Sequence, residues 1–170
     1  MQVLTYKFEV AKSPQEAFEE ATKKKHLRES IIELGKIKIQ NEEINEEVYK
    51  LGDKELIQYT MLKELIKAQS KMVVTEYIKP YKITEVWIGG VFGDFRFEQE
   101  IQQTETGSEI IYNIEYECNL PSIVRGKVEK NKINPYLEKL MKKRANKIIG
   151  TNKKFKIERG DYEDGEETFE

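Results

Sequence analysis

From Gln2 to Val10 the chain alternates, with Leu4, Tyr6, Phe8 and Val10 on one side and Thr5, Lys7 and Glu9 on the other. That two-residue period predicts a half-buried strand. Ser13-Pro14-Gln15-Glu16 then supplies an N-cap, a proline suited to the first helical position and the glutamate of a capping box. A helix to about Lys25 follows, with Ala17, Phe18 and Ala21 inward. A second short helix or turn covers Leu27 to Leu34 and stops at Gly35. Ile37 and Ile39 open another strand. Glu42 to Glu55 is acidic and weakly patterned, with Val48, Leu51 and Gly52-Asp53 suggesting a short strand and a turn. Leu56 to Leu62 satisfies either a strand or a helix, because so short a run has no decisive period.

Beyond residue 70 the pattern sharpens. Lys71 to Ile78 is rich in β-formers, Lys79-Pro80-Tyr81 marks a turn, and Tyr81 to Ile88 is a strand closed by Gly89-Gly90. Phe95 to Ile101 alternates cleanly. Thr104 to Ser108 contains Gly107 and reads as a hairpin connection into a strand with Ile110, Tyr112, Ile114, Tyr116 and Cys118 on one face. Strands joined by short turns make an antiparallel meander. After Leu120-Pro121-Ser122 the period becomes helical, with Asn134-Pro135 as an N-cap and first helical position where the helix kinks or restarts. Leu137, Leu140, Met141, Ala145, Ile148 and Ile149 continue the apolar stripe to Gly150. This order predicts an α+β fold: a curved antiparallel sheet of about six or seven strands, one or two short helices after the first strand, and a long C-terminal helix. Residues 1–150 form the domain, and 151–170 a charged, flexible tail.

Composition narrows the chemistry. A chain of 170 residues fits one domain, and it buries enough surface to fold without disulfides or metal. Charged residues make up 35% of it, yet the net charge is -2, which speaks against a chain-wide nucleic-acid binder. One Cys and one His exclude a disulfide framework and a typical zinc site. A Ser-His-Asp triad would have to use His26, which follows three lysines and reads as exposed. Cys118 reads as a small core residue. Gly89, Gly90 and Gly93 do not make a phosphate loop, since no Lys-Ser/Thr or helix follows. No apolar run is long enough to cross a membrane, and no secretory leader opens the chain, so the expected compartment is the cytoplasm. No cofactor and no metal are expected.

Charge is unevenly distributed. Arg125 to Lys156 carries a local charge of +10, and Ile157 to Glu170 carries -6. The basic stretch is a candidate for weak contact with anionic membranes, but a solvated outer helix face partly balanced by the tail is the simpler reading.

The order of these segments resembles the START-like, or SRPBCC, superfamily, whose members include polyketide cyclases, plant pathogenesis-related allergens, lipid-transfer domains and coenzyme Q-binding proteins. The strand Leu4 to Val10 running into Ser13-Pro14 and Phe18 carries part of the likeness. Val74-Thr75-Glu76-Tyr77-Ile78-Lys79-Pro80 is similar to a family strand that ends in a Tyr-x-x-Pro turn. Gly90-Val91-Phe92 precedes the strand Phe95 to Ile101, and Thr106-Gly107-Ser108 with Tyr112 to Tyr116 resembles the final hairpin before the basic helix. The likeness covers residues 1 to about 150. Phe97 and Gln99 stand where some members carry His.

The resemblance implies a helix-grip fold, with a cavity for a hydrophobic small molecule between sheet and C-terminal helix. Candidate wall residues are Trp87, Phe92, Phe95, Phe97, Ile114 and the hydrogen-bonding Gln99, Tyr112 and Tyr116. Leu137, Leu140 and Met141 would form the lid. Read without the resemblance, the aromatic positions are ordinary core. A ligand burying ~300 Å² of apolar surface would gain about 7 kcal/mol before association costs, enough for micromolar binding. The expected function is therefore binding or transport of a lipid, polyketide or quinone-like molecule without catalysis, by a monomer or homodimer.

Two alternatives remain. One is a cyclase-like enzyme using Glu76, Glu85 or Tyr112 to move protons. The other is an interaction module like the chaperone-activating members of the superfamily. The first depends on which faces of strands 71–78 and 81–88 point inward, and the pattern favours solvated placement of both glutamates. If the acidic tail shields the basic helix, deletion of residues 159–170 raises salt-sensitive binding to anionic vesicles in a sedimentation assay; unchanged binding discards the shielding.

Overall fold

A computed structural model describes residues 1–32, 37–40, 48–61, 66–90, 92–150 and 158–159. Among these, eight strands form one antiparallel sheet: β1 (Gln2–Val10), β2 (Ile37–Gln40), β3 (Lys54–Met61), β4 (Ile66–Ile78), β5 (Lys82–Ile88), β6 (Asp94–Gln103), β7 (Ser108–Glu117) and the two-residue β8 (Glu158–Arg159). Their order across the sheet is β2-β3-β4-β5-β6-β7-β1-β8. The meander is thus continuous from β2 to β7, and β1 closes onto β7 with Tyr6 opposite Tyr112. The ambiguous run from Leu56 is strand. Of the expected tail, Glu158 and Arg159 pair with Lys7 and Tyr6; the rest of 151–170 lies outside the described residues, as do Leu34 and Gly35.

Two short helices, α1 (Pro14–Ala21) and α2 (Lys24–Ile32), follow β1. The capping box forms as the sequence predicts: the Glu16 amide donates to Ser13 Oγ at 3.3 Å, and the Ser13 amide donates to Glu16 Oε2 at 2.9 Å. Ala17 and Phe18 are buried on the inward side.

The C-terminal helix is α3 (Ser122–Val128), a π-helical turn at Glu129–Ile133, and α4 (Asn134–Ile149). Contrary to expectation, Asn134 is not an N-cap: its backbone is helical, and its amide reaches back five residues to the Glu129 carbonyl. Pro135 has no amide hydrogen to give, and the wide turn absorbs the missing bond so that the helix continues instead of restarting. The Asn134 side chain instead accepts a hydrogen bond from the Tyr116 hydroxyl.

The core lies between the sheet and α4. One face of β1, β5, β6 and β7 supplies alternate residues to it, and α4 supplies Leu137, Leu140, Met141, Arg144, Ala145 and Ile148. These fall on one helical stripe by their three- and four-residue spacing. One backbone approach is very close. Gly93 has φ 60°, and a Cβ built there would lie 2.2 Å from the Glu117 carbonyl oxygen. Gly93→Ala therefore strains the backbone and forces β6 and β7 apart. A loss of at least about 2 kcal/mol in urea unfolding is expected, and a loss below about 0.5 kcal/mol would contradict the approach.

Candidate functional site

Register places the inward residues in rows. Val74, Glu85, Phe97, Ile114 and Leu4 lie side by side across β4, β5, β6, β7 and β1. The adjacent row is Tyr77, Ile83, Gln99, Tyr112 and Tyr6. On the other side, Met72, Trp87, Phe95 and Tyr116 follow one another. Every residue expected in the wall or lid is buried: Trp87, Phe92, Phe95, Phe97, Gln99, Tyr112, Ile114, Tyr116, Leu137, Leu140 and Met141. Their rings pack on one another. Phe97 and Phe8 each meet Tyr112 edge to face at 5.1 Å between centroids, and Trp87 lies 5.3 Å from Phe95.

The two glutamates separate. Glu85 is fully buried on the inner face, which overturns the solvated placement favoured from the pattern. Glu76 is outside, as expected, where its carboxylate accepts from Thr84 Oγ1 at 2.9 Å and lies 3.3 Å from Lys82 Nζ. The cause is a β-bulge. Val74 pairs with Glu85 and Glu76 with Thr84, so the register shifts between them. The extra residue reverses the facing of the rest of β4, sending Glu76 out and Tyr77 in.

Glu85 meets Arg144 of α4. Arg144 Nη2 donates to Oε1 at 2.7 Å and Nη1 to Oε2 at 3.2 Å, with both side chains nearly excluded from solvent. Trp87 Nε1 donates to Glu85 Oε2 at 3.4 Å, and the guanidinium carbon sits 4.2 Å from the Phe97 ring centroid. Burial acts against the Arg144 charge, but Glu85 outweighs it, and the guanidinium is held more firmly protonated than usual. The sequence pattern places Arg144 on the solvated basic face, and the structure corrects this. The signal that it points inward is its position, three residues after Met141 and one before Ala145, inside the apolar stripe.

A second polar set adjoins the first. The Tyr49 hydroxyl donates to Glu55 Oε1 at 3.0 Å, and Arg28 Nη2 reaches the same oxygen at 3.0 Å. Burial first, then the Glu55 and Glu85 charges, raise Tyr49 well above the ordinary phenol. Sequence reasoning singles out none of Arg28, Tyr49 or Glu55: Tyr49 and Glu55 lie in a weakly patterned segment, and Arg28 sits in a short helix far from them in sequence.

Gln99 and Tyr112 differ from all of these. They are cross-strand partners on β6 and β7. Both are 1% exposed, yet the Gln99 amide nitrogen and oxygen and the Tyr112 hydroxyl have no hydrogen-bond partner among the described residues. Burial keeps Tyr112 protonated far beyond neutral pH. A buried polar group without a partner costs roughly 1–3 kcal/mol, so such pairs of groups usually have a reason.

Two further expectations are settled here. Cys118 is a buried free thiol, as expected, with its pKa pushed up to about 12 by burial and by the neighbouring carboxylate of Glu129. His26 is half-buried rather than exposed. Its Nδ1 lies 2.8 Å from the Glu20 carbonyl, and burial lowers its pKa despite that contact. A cleft of about 290 Å³ also opens beside the β6–β7 hairpin, lined by Glu9, Val10, Ala11, Lys12, Thr106 and Ile149. It contains none of the expected wall residues. Among the described residues, no helix is long and apolar enough to cross a membrane.

No family model matches the sequence, and no curated protein matches it either. Solved structures do. TTHA0849 from Thermus thermophilus superposes with a TM-score of 0.61 at 13% identity, covering 86% of this chain and 97% of that one. The ginseng major latex-like protein 151 from Panax ginseng gives 0.56 at 12% identity, covering 85% and 96%. Ara h 8.0201 gives 0.50 at 15% identity, covering 85% and 99%. Identities this low establish the fold alone. That fold is of the helix-grip type.

The buried ion pair makes a stability prediction. Glu85→Ala leaves a guanidinium without its counter-charge and costs about 3–5 kcal/mol. Glu85→Leu combined with Arg144→Met removes both charges and recovers most of that loss in urea unfolding. A single-variant cost below about 1 kcal/mol would show that the pair is not enclosed.

Proposed function

We propose that the protein binds a hydrophobic small molecule between the sheet and the C-terminal helix. One observation carries the reading: Gln99 and Tyr112 hold three unpartnered polar atoms inside an aromatic wall. An apolar pocket with a few placed polar groups is the ordinary form of a small-molecule site. The similarity to the ginseng latex-like protein and to Ara h 8.0201 supports the architecture but names no ligand. The polar atoms are shut off from solvent, so a ligand reaches them only when the side chains packed around them move.

Acid–base catalysis fits the arrangement less well. Glu85 would first have to leave Arg144, and Tyr112 is kept protonated by its burial. Glu76 is on the other side of the sheet from both. Carrier or sensor function needs none of these groups to change protonation.

Native mass spectrometry of protein from its own host, followed by organic extraction, should reveal a stoichiometric apolar adduct. Gln99→Leu and Tyr112→Phe should each lower adduct retention. Each should also leave the unliganded protein as stable as before or more stable by about 1 kcal/mol, because an unmet polar group is removed. Destabilisation by both variants with no adduct in the parent protein would mean these residues serve packing only.

A further inference from the structure

The unpartnered atoms and the ion pair together define what the site accepts. We infer that the occupant is uncharged and presents a hydrogen-bond acceptor beside a donor, as a carboxamide or hydroxy-carbonyl compound does, and that carboxylates such as fatty acids are rejected. The inference rests on the binding reading above and adds the chemical class of the ligand.

Charge is the first argument. Arg144 lies over the Phe97 ring, which packs edge to face on Tyr112, and its guanidinium is already held by both oxygens of Glu85. The neighbouring cations are engaged as well: Arg28 with Glu55, and Lys24 with Asp53 at 2.8 Å. A ligand carboxylate that reached Arg144 would have to share it with Glu85. Two like charges in one enclosure with a single counter-charge are strongly unfavourable, and desolvation of the incoming anion adds to the cost. A cationic ligand meets the mirror-image difficulty, since Glu85 is neutralised by Arg144. A neutral ligand leaves the pair intact.

Hydrogen bonding is the second. The Gln99 amide offers both N–H donors and a carbonyl acceptor, and the Tyr112 hydroxyl can give one hydrogen bond and accept others. The two side chains stand side by side across β6 and β7. Satisfying the Gln99 oxygen requires a donor on the ligand, and satisfying its nitrogen requires an acceptor. A pure hydrocarbon or simple ester leaves at least one of them unmet. The row containing Glu85, Phe97 and Ile114 is adjacent, so the polar edge of the ligand would lie beside the ion pair and its body along the aromatic rows.

The test uses decanamide and decanoate, which share a chain and differ in head group, with decan-1-ol as a third neutral probe. Trp87 is the only tryptophan and touches Glu85, so its emission reports binding directly. The parent protein should bind decanamide at least about tenfold more tightly than decanoate, the scale of one or two buried hydrogen bonds plus an unmet charge. Gln99→Leu should weaken decanamide about tenfold and leave decanoate unchanged. Glu85→Gln frees Arg144 and should turn the preference toward decanoate. Equal or tighter decanoate binding by the parent protein overturns the inference while leaving ligand binding intact. Binding of none of the three probes defeats the binding reading itself. Should Glu85→Gln fail to fold by circular dichroism, the parent comparison and Gln99→Leu still decide the matter.

Discussion

The contact between Glu85 and Arg144 ties the two layers of this fold together. Apolar packing alone would let α4 slide along the sheet, because contacts between rings and aliphatic chains are non-directional. A bidentate ion pair fixes both the distance and the angle between β5 and the helix. It need not add stability over a hydrophobic pair of equal volume. Its consequence is position: Phe97 lies under the guanidinium, Trp87 turns its indole nitrogen toward Glu85, and Tyr112 is clasped between Phe97 and Phe8. Gln99 and Tyr112, paired across β6 and β7, occupy the inward row next to that of Glu85.

The interior is therefore polar in two different ways. Glu85, Arg144, Glu55, Arg28 and Tyr49 satisfy one another and hold elements in place. Gln99 and Tyr112 satisfy nothing among the described residues. Proteins often concentrate such unmet groups where function needs them and bear the loss of stability there.

Much of the architecture was legible because its signals are local. The alternation of Gln2 to Val10, the Ser13–Glu16 capping box and the paired alternation of β6 and β7 depend on neighbours within a few residues. The aromatic wall followed from the same alternation, and all of its members are enclosed. What escaped reading is non-local. Glu85 and Arg144 are separated by 59 positions, and nothing in either segment announces the other. Without a visible partner in sequence, a charged residue reads as solvated. Glu55 and Arg28 are likewise partners far apart in sequence, 27 positions from one another. Asn134-Pro135 fits an N-cap and first helical position by residue type, but the helix runs through it by a π turn and the Asn134 side chain is taken by Tyr116, 18 positions away.

The bulge between Val74 and Glu76 bears on any alignment of this chain with a strand that lacks one. Upstream of it the even-numbered Met72 and Val74 face the core, and downstream the odd-numbered Tyr77 does. A gapless alignment carried through Thr75 against a strand without the bulge equates interior with surface positions on one side or the other. At identities of 10–15% few matching residues exist to reveal the slip. Kinship in this part of the fold is therefore better traced by matching the parity of buried positions, with one residue allowed to drop out, than by counting shared letters.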